Sequence, residues 1–328
     1  MNVEQVLSGL SNIKVAVIGD VMLDTYCWGK VERISPEAPV PIVTLDKKEI
    51  RIGGAANVAL NTASLGAPTF IFSVIGQDEE GRELKELMQR NNIYLDYLIT
   101  SPKRITTNKT RIISRNQQMM RLDAELVKDL DDTLEEEMLS VFKKFVAAHQ
   151  PQVVILEDYN KGVLTEKLIS GIIEVCREHN IVVTVDPKRK NFFAYKGATI
   201  FKPNLKEVKE ALNLLFDEVN ADLLSNIHLQ LQQTLQHNYS LITLSEHGMF
   251  YQGDNESKII PSHLRNIADV SGAGDTVIAV ASLVYAASKD IHLATEVANI
   301  AGGLVCEEVG TVAIDPVKLL AECKTLLS

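Results

Sequence analysis

Short apolar runs alternate with segments of helical periodicity along most of the chain, and this alternation limits the possible folds more than any other feature. Residues 14–19, 69–75, 151–158 and 181–187 are short and rich in β-branched side chains, which is typical of buried strands. Residues 79–91 instead repeat leucine and methionine at helical spacing. Buried strands separated by amphipathic helices predict an α/β fold with a mostly parallel sheet and helices on both faces.

Two segments depart from this alternation. Residues 25–50 combine prolines and a tryptophan with β-branched residues, and residues 104–122 alternate threonine, isoleucine and arginine. Both patterns predict strands outside the parallel sheet, and together they predict a small antiparallel flap, or lid. The 328 residues favour two domains by length alone, but neither a repeat nor a long linker divides them. We therefore predict one domain, residues 1–328, that carries the flap.

The remaining elements follow the same pattern. Further helices are predicted over residues 54–66, 130–148, 164–179, 204–214, 219–236, 273–287 and 290–307. Further strands are predicted over residues 198–201 and 240–248, and an antiparallel pair is predicted over residues 249–260 around Gly253, Asp254 and Asn255.

Composition excludes several classes of function. The chain has 33 Lys and Arg against 43 Asp and Glu, a net charge of −10, which argues against a nucleic-acid partner. We predict neither a membrane span nor a signal peptide, because the long apolar runs that these need are absent from the sequence. Four isolated cysteines predict reduced thiols in a cytoplasmic protein. His179, His228 and His237 lie in polar helical contexts, where we expect exposed side chains.

The segment 269–276, DVSGAGDT, precedes an apolar helix and carries the strongest chemical signal. Glycines at a helix start let the backbone approach a ligand, and the free amides of Ala273, Gly274 and Asp275 then favour an anion. The Asp275 carboxylate can also accept a proton from a substrate hydroxyl. The alternative is structural: Gly272 and Gly274 only form a turn, and Asp275 only complements the helix dipole.

The DxxGAGD string resembles a signature of the ribokinase-like carbohydrate kinases, the PfkB family. Residues 53–57, GGAAN, are similar to the second signature of this family, a glycine pair that opens an early helix. The strings GDVMLD at 19–24, RISPEAPVP at 33–41 and SRNQQ at 114–118 further resemble the branch that phosphorylates heptose 7-phosphates. The resemblance implies a ribokinase-like fold, ATP and Mg²⁺. It makes Asp275 the catalytic base, with Gly272, Ala273 and Gly274 around the transferred phosphoryl group.

On the substrate side, the resemblance implies two sets of ligands. Asp24, Gly53, Gly54 and Asn57 would contact the sugar; structurally, Asp24 could be a loop cap and the others a plain helix start. A phosphorylated sugar also needs cations for its distal phosphate. The candidates are Lys109, Arg111, Arg115 and Lys161, although exposed arginines of a flap are often only solvated edge charges.

On the nucleotide side, Asn204 and Glu207 match the family's NxxE motif, which organises Mg²⁺ through water. The same pair is also a capping box, and both roles can coexist. The other implied ligands of ATP and its phosphates are Asp186, Lys188, Ser245, Gly248 and Asn299. A monovalent cation such as K⁺ would bind the carbonyls of Asp269 and Val270 together with residues 308–311.

The implied reaction is ATP-dependent phosphorylation of D-glycero-β-D-manno-heptose 7-phosphate at its C1 hydroxyl, for ADP-heptose and lipopolysaccharide core synthesis. By analogy we expect a homodimer formed through the lid strands. Without an HxGH motif in the sequence, we expect no nucleotidyltransferase domain. Two alternatives stay open: a PfkB-type kinase for another sugar or sugar phosphate, and a non-catalytic sugar-phosphate sensor.

Overall fold

The computed structural model describes residues 2–115, 117–216, 218–253 and 256–327. Three predicted positions lie outside the described residues: Asn116 of the SRNQQ string, and Asp254 and Asn255 of the predicted hairpin turn. The helices are α1 Val3–Gly9, α2 Ala55–Ser64, α3 Glu79–Arg90, α4 Asp132–His149, α5 Glu166–Glu178, α6 Leu205–Ala211, α7 Ala221–Leu235, α8 Ala273–Ser288, α9 Ile291–Val305 and α10 Pro316–Leu326.

Within the described residues, the strands fall into two sheets. They are β1 Val15–Gly19, β2 Val21–Ile34, β3 Pro41–Gly54, β4 Thr69–Gly76, β5 Leu98–Ser101, β6 Thr107–Ser114, β7 Gln117–Ala124, β8 Val153–Glu157, β9 Val182–Asp186, β10 Ile200–Phe201, β11 Tyr239–Thr243, β12 Met249–Gln252 and β13 Ser257–Ile260.

The main sheet has the order β13-β12-β11-β10-β9-β8-β1-β4-β5 in the described part of the chain. Its strands pair in parallel from β11 through β5, while β12 and β13 pair antiparallel at one edge. The predicted mostly parallel sheet is therefore confirmed. Strands β1, β8 and β9 end in register, with Gly19 opposite Glu157 and Glu157 opposite Asp186. This register brings acidic side chains together at the carboxyl edge, where open α/β sheets bind ligands.

Helices cover both faces of this sheet, as the sequence predicts. One hydrophobic core joins the sheet to α1, α2, α3, α8, α9 and α10. A second core joins the other face to α4, α5, α6 and α7, and it includes the ring cluster of Phe72, Phe142 and Phe145. Helix α8 is buried from Asp275 to Ala286, because it packs against α9 and α2 as well as the sheet. Because α8 has neighbours on all of its faces, its sequence is apolar on every side.

The flap is a separate four-stranded sheet of β2, β3, β6 and β7, in the order β3-β2-β6-β7. Its predicted segments, residues 25–50 and 104–122, overlap the β2–β3 and β6–β7 pairs, which are antiparallel as expected. The two pairs join through a parallel contact between β2 and β6, which the sequence did not predict. Strand β2 starts at Val21 directly after β1, and β3 runs to Gly54 at the start of α2. The flap therefore grows from the carboxyl edge of the main sheet.

Other features correct the sequence predictions. Helices α1 and α10 and the edge strand β5 were not predicted. His179 is exposed as expected, but that expectation was wrong for His228 and His237, which are buried. The Ser240 hydroxyl lies 2.9 Å from Nδ1 of His228 and 2.7 Å from Nε2 of His237, so two imidazoles share one buried partner. Among the described residues, none of the helices combines the length and apolar character needed to cross a bilayer.

Candidate active site

The first turn of α8 lies at the carboxyl edge of the main sheet, below the base of the flap. Gly272 precedes this helix with φ at +79°, a left-handed conformation that favours glycine. A Cβ at Gly272 would lie 2.7 Å from Nδ2 of Asn57, so the close approach of α2 also requires glycine. The amide of Ala273 donates to the Val270 carbonyl, which removes it from the predicted set of free amides. The amides of Gly274 and Asp275 remain in the first turn, where helical N–H groups lack intrahelical partners.

The Asp275 carboxylate is buried and receives a hydrogen bond on each oxygen. Asn57 Nδ2 donates to Oδ2 at 2.8 Å, and the Tyr159 hydroxyl donates to Oδ1 at 2.7 Å. Burial raises the pKa of Asp275 to about 6, although the bonds from Asn57 and Tyr159 oppose the rise. A carboxylate with a pKa just below neutral suits a general base, because it is ionised at neutral pH yet basic enough to accept a proton. Asn57, predicted to contact the sugar, therefore contacts the predicted base.

The loop after β8 is anchored by Asp20, a residue without a predicted role. Asp20 Oδ2 accepts the backbone amides of Tyr159 at 2.9 Å and Lys161 at 3.0 Å, and Oδ1 accepts the amide of Val163 at 3.0 Å. Burial raises the pKa of Asp20, while these three amides oppose the rise. Asp20 thereby fixes the backbone that presents Tyr159 and Lys161 to the site.

The predicted sugar ligands meet at the base of the flap. Asp24 forms a buried ion pair with Arg111, so the charge of this arginine is already matched. Gly53 lies against the same carboxylate, because a Cβ there would come within 2.2 Å of Asp24 Oδ2. Gly54 has φ at +60° at the start of α2. The guanidinium of Arg111 also lies 5.2 Å from the centre of the Tyr26 ring, a cation–π contact.

Of the other predicted phosphate ligands, Lys109 of the flap and Lys161 of the loop after β8 lie together, and Arg115 lies apart. Lys109 Nζ lies 5.5 Å from the centre of the Tyr159 ring, and Lys161 Nζ lies 2.8 Å from Glu125 Oε1. Burial lowers the pKa of Lys109, and the neighbouring charge of Lys161 lowers it further, so two ammonium groups share this region. Arg115 instead lies exposed at the turn between β6 and β7, and the structure does not bring it to the site.

Asn204 and Glu207 form the predicted capping box at the start of α6. The Asn204 side chain accepts the Glu207 amide, and the Glu207 side chain accepts the Asn204 amide, each at 2.8 Å. Lys188 Nζ lies 2.7 Å from the other Glu207 oxygen and 3.1 Å from Asp186 Oδ1. Burial would lower the pKa of Lys188, but these two carboxylates outweigh burial and raise it.

Two buried charged groups next to this cap were not predicted. Lys202 Nζ lies 2.7 Å from Asp186 Oδ2 and 3.8 Å from the position that a Cβ of Gly274 would take. Within the described residues, neither carboxylate oxygen of Glu157 has a hydrogen-bond partner. Burial raises the pKa of Glu157 well above its usual range, and the charges of Asp186 and Asp275 raise it further. A mixed cluster of carboxylates and lysines therefore surrounds the first turn of α8.

The predicted nucleotide loop lies beyond this cluster. Ser245 is exposed, with φ at +55°. Gly248 has φ at +91°, and a Cβ there would lie 2.0 Å from the Ile260 carbonyl oxygen, so this position requires glycine. Asn299 Nδ2 donates to the Pro261 carbonyl at 2.7 Å. This bond ties α9 to the segment after β13, and the predicted contact of Asn299 with adenine stays a prediction.

The predicted monovalent-cation segment already faces a positive charge. Arg51 of β3 donates to the carbonyls of Val309 and Thr311. Asp269 accepts the amide of Gly310 at 2.9 Å, which ties this segment to the start of the DVSGAGDT turn. The predicted contact of Val270 with the cation, like the K⁺ site itself, stays a prediction.

Comparison with known proteins assigns the family. The sequence profile of the pfkB family carbohydrate kinases matches residues 12–318. The chain belongs to the pfkB family of carbohydrate kinases. This membership supports the functional interpretation of the DxxGAGD string, because the match covers the whole described site. The chain is thus a sugar kinase by family.

Curated relatives cover almost the whole of this pfkB kinase. The bifunctional protein HldE of Geotalea uraniireducens is 38% identical over 323 residues, which are 98% of this chain and 65% of that protein. HldE of Helicobacter acinonychis is 40% identical over 300 residues, which are 91% of this chain and 64% of that protein. The chain therefore spans less than two thirds of the length of these relatives.

Solved structures confirm the ribokinase-like fold of the kinase. Arabidopsis thaliana ribokinase complexed with ribose and ATP superposes with a TM-score of 0.74 at 16% identity, over 94% of this chain and 98% of that one. Escherichia coli phosphofructokinase-2 in complex with potassium gives a TM-score of 0.77 at 15% identity, over 95% and 99% of the two chains. At such low identity the likeness concerns the fold alone.

Most predicted site residues of the kinase lie at the carboxyl edge of the main sheet, but three residues that shape the site were not predicted. Asp20, Tyr159 and Lys202 have no distinctive spacing of their own. A signal existed for two of them, since Tyr159 lies two residues before Lys161 and Lys202 lies two residues before Asn204, both of which were predicted site residues. Their roles depend on which strands end side by side, and this is fixed only by the sheet order.

Proposed function

We propose that this pfkB kinase transfers the γ-phosphoryl group of ATP to the C1 hydroxyl of D-glycero-β-D-manno-heptose 7-phosphate, giving the 1,7-bisphosphate. The observation that carries the proposal is the buried Asp275 carboxylate, held by two donors at the first turn of α8 with lysines around it. The strings at residues 33–41 and 114–118 favour the heptose phosphate over other sugars. The HldE relatives support the same substrate, and we place the reaction in ADP-heptose and lipopolysaccharide synthesis in the cytoplasm.

The chain's own residues account for the chemistry of the transfer. Asp275 accepts the proton of the attacking hydroxyl. The transition state spreads negative charge over the equatorial oxygens of the phosphoryl group. The amides of Gly274 and Asp275 and the ammonium of Lys202 stabilise that charge from fixed positions, where reorganisation costs little. Lys188 supports the same region from its place between Asp186 and Glu207.

The flap supplies the sugar side of the site. Asp24 accepts hydroxyl groups of the sugar, with Arg111 as its counter-ion. Lys109 and Lys161 lie near each other at the flap base and neutralise the distal phosphate. Arg115, at the far turn of the flap, takes part only after the flap moves. Closure over the sugar excludes water and limits hydrolysis of ATP.

Water-mediated binding of magnesium fits the capping box at the start of α6. Among the described residues, no group of three or more metal-binding side chains is arranged to hold an ion directly. Glu207 engages Lys188 and the Asn204 amide, so Asn204 and Glu207 would hold the waters of the ion. When bound, Mg²⁺ neutralises charge on the ATP oxygens. We propose that ATP also contacts Ser245, Gly248 and Asn299, which lie beyond the capping box at the start of α6.

A substrate panel tests the proposal. ADP release is measured with heptose 7-phosphate, hexose phosphates, tagatose 6-phosphate and unphosphorylated sugars. We expect turnover selective for heptose 7-phosphate, and removal of Mg²⁺ by EDTA should abolish it. Preferred turnover of another sugar phosphate would contradict the proposed substrate, but it would agree with the assignment of the chain as a sugar kinase. Tight sugar-phosphate binding without any ADP release would overturn the catalytic proposal in favour of a sensor.

A further inference from the structure

The phenol of Tyr159 is placed to control the catalytic carboxylate. We propose that Tyr159 is a positioning residue of the phosphoryl transfer, whose hydroxyl orients the Asp275 carboxylate and stabilises its charged form. The inference rests on the proposed role of Asp275 as the base.

The geometry leaves the carboxylate little freedom. The Tyr159 hydroxyl donates to Asp275 Oδ1 at 2.7 Å, and Asn57 Nδ2 donates to Oδ2 at 2.8 Å. Since each carboxylate oxygen can accept about two hydrogen bonds, one acceptor position on each oxygen stays open for a substrate hydroxyl. Rotation of the carboxylate would break both bonds at once. The two donors therefore fix the direction from which a substrate hydroxyl can approach.

Tyr159 is itself held from both its backbone and its ring. Its amide donates to the buried Asp20 carboxylate at 2.9 Å. Its ring centre lies 5.5 Å from Nζ of Lys109 and 5.4 Å from Nζ of Lys188. In these cation–π contacts the ammonium groups are attracted by the quadrupole of the ring, which helps to hold the ring in place. A side chain fixed in this way can transmit orientation to the carboxylate that it contacts.

The electrostatic surroundings explain why the base needs this donor. Burial and the charge of Asp186 raise the pKa of Asp275, while the bonds from Asn57 and Tyr159 and the charge of Lys188 lower it. Loss of the phenol hydroxyl should therefore raise this pKa and leave more of the base protonated near neutral pH. The charged groups that interact with Asp275 or lie at its helix turn are Glu157 of β8, Asp186 of β9, Lys188 after β9 and Lys202 after β10.

The test variant is Tyr159→Phe, which removes the hydroxyl and keeps the ring. We expect kcat near neutral pH to fall about tenfold, equivalent to one charged hydrogen bond, with KM changed by less than about twofold. The acid limb of the rate profile should move up by about one pH unit. Raising the pH should then recover part of the lost rate. A wild-type kcat with an unmoved acid limb would overturn the inference.

Tyr195→Phe is the matched control. The Tyr195 hydroxyl donates at 2.7 Å to Oδ2 of Asp158, a second buried carboxyl group whose pKa burial raises to about 6. This variant therefore loses the same kind of bond next to the same loop, but not at the reacting group. We expect its acid limb and kcat to match wild type. Equal shifts in both variants would show a general disturbance and contradict the specific role of Tyr159.

A measurement without substrate separates this inference from the proposed function. Carboxyl ¹³C NMR of aspartate-labelled protein follows the titration of Asp275, and Asp275→Asn identifies its signal. An upward shift in Tyr159→Phe supports the inference whichever sugar the kinase accepts. An unchanged titration in a variant that melts like wild type overturns it, even where heptose 7-phosphate is turned over.

Discussion

At the scale of single residues, the buried carboxylate of Asp275 and the buried ammonium of Lys202 lie at the same helix turn. Asp275 could be proposed as the base because the DxxGAGD string resembles a family signature, whereas a carboxylate at a helix start alone often only complements the helix dipole. Asn57 was predicted to contact sugar, which stays a prediction; its bond to Asp275 was not foreseen, since the approach of α2 to α8 depends on Gly272. Lys202 was missed although it lies two residues before Asn204, because a lysine just after a short strand is usually exposed. Its burial beside Asp186 follows only from the sheet order.

Lys202→Met tests the proposed role of Lys202 in stabilising the transition state, a role that the sequence did not predict. The change removes a buried ammonium beside the first turn of α8, while Asp186 keeps Lys188 as a partner. We expect kcat to fall by about 10²-fold, as for other fixed groups that stabilise transition-state charge. Steady-state ADP release measures the loss. Lys206→Met, on the exposed side of α6, is the control, and an equal loss in both variants would contradict a catalytic role.

At the scale of elements, the sequence predicts what local patterning controls. The strands of the parallel sheet and helices such as α3 were predicted because their apolar periods are regular. Helix α1 and strand β5 were missed because short edge elements carry too few periods. Helix α10 does have a cap signal, Asp315 before Pro316, but its apolar stripe is weak. The parallel pairing of β2 with β6 joins residues far apart in sequence, so local patterning could not show it.

The buried histidines His228, on α7, and His237, just after it, predict a pH dependence of stability. Burial, assisted by His228, lowers the pKa of His237 to about 3 from an ordinary 6.5. The folded protein therefore keeps this imidazole neutral, while the unfolded chain gains a proton below about pH 6.5. The free energy of unfolding should fall on acidification by up to about 1.4 kcal/mol per pH unit from this group.

His237→Gln isolates this effect. We expect urea unfolding of the variant to depend less steeply on pH between about 6.5 and 5 than that of wild type. The raised pKa values of Asp158 and Asp275 act in the opposite direction, but they are common to both proteins and cancel in the comparison. His179→Gln, at an exposed position, should follow wild type. Parallel curves for all three proteins would refute the assignment.

At the scale of the whole molecule, length and charge set only wide limits. The flap grows from the carboxyl edge of the main sheet, so the sugar and nucleotide sides of the site belong to one continuous structure. The net charge of −10 did not exclude anionic ligands, because buried lysines and helix amides create local positive potential. Dimerisation was predicted only by analogy, since sequence patterning does not distinguish a flap face that packs against a second chain from one that stays in solvent.

We propose that the kinase forms a homodimer through the flap. Strand β7 is exposed along its described length, and the flap exposes large apolar side chains at Ile34, Leu45, Met120 and Leu122. Light scattering should give twice the chain mass for wild type and the single mass for a Met120→Glu, Leu122→Glu double variant. The exposed change Leu229→Glu, on α7, should keep the dimer. A monomeric wild-type protein at micromolar concentration would reject this assembly.

Phosphorus NMR of the reaction with heptose 7-phosphate and ATP, for wild type and Asp275→Asn, tests the central proposal most directly. Wild type should yield ADP and a sugar with a second phosphate on C1. Asp275→Asn should bind both ligands yet form this product at least about 10²-fold more slowly, because it lacks the base. A product phosphorylated elsewhere, or a variant rate within about tenfold of wild type, would contradict the account.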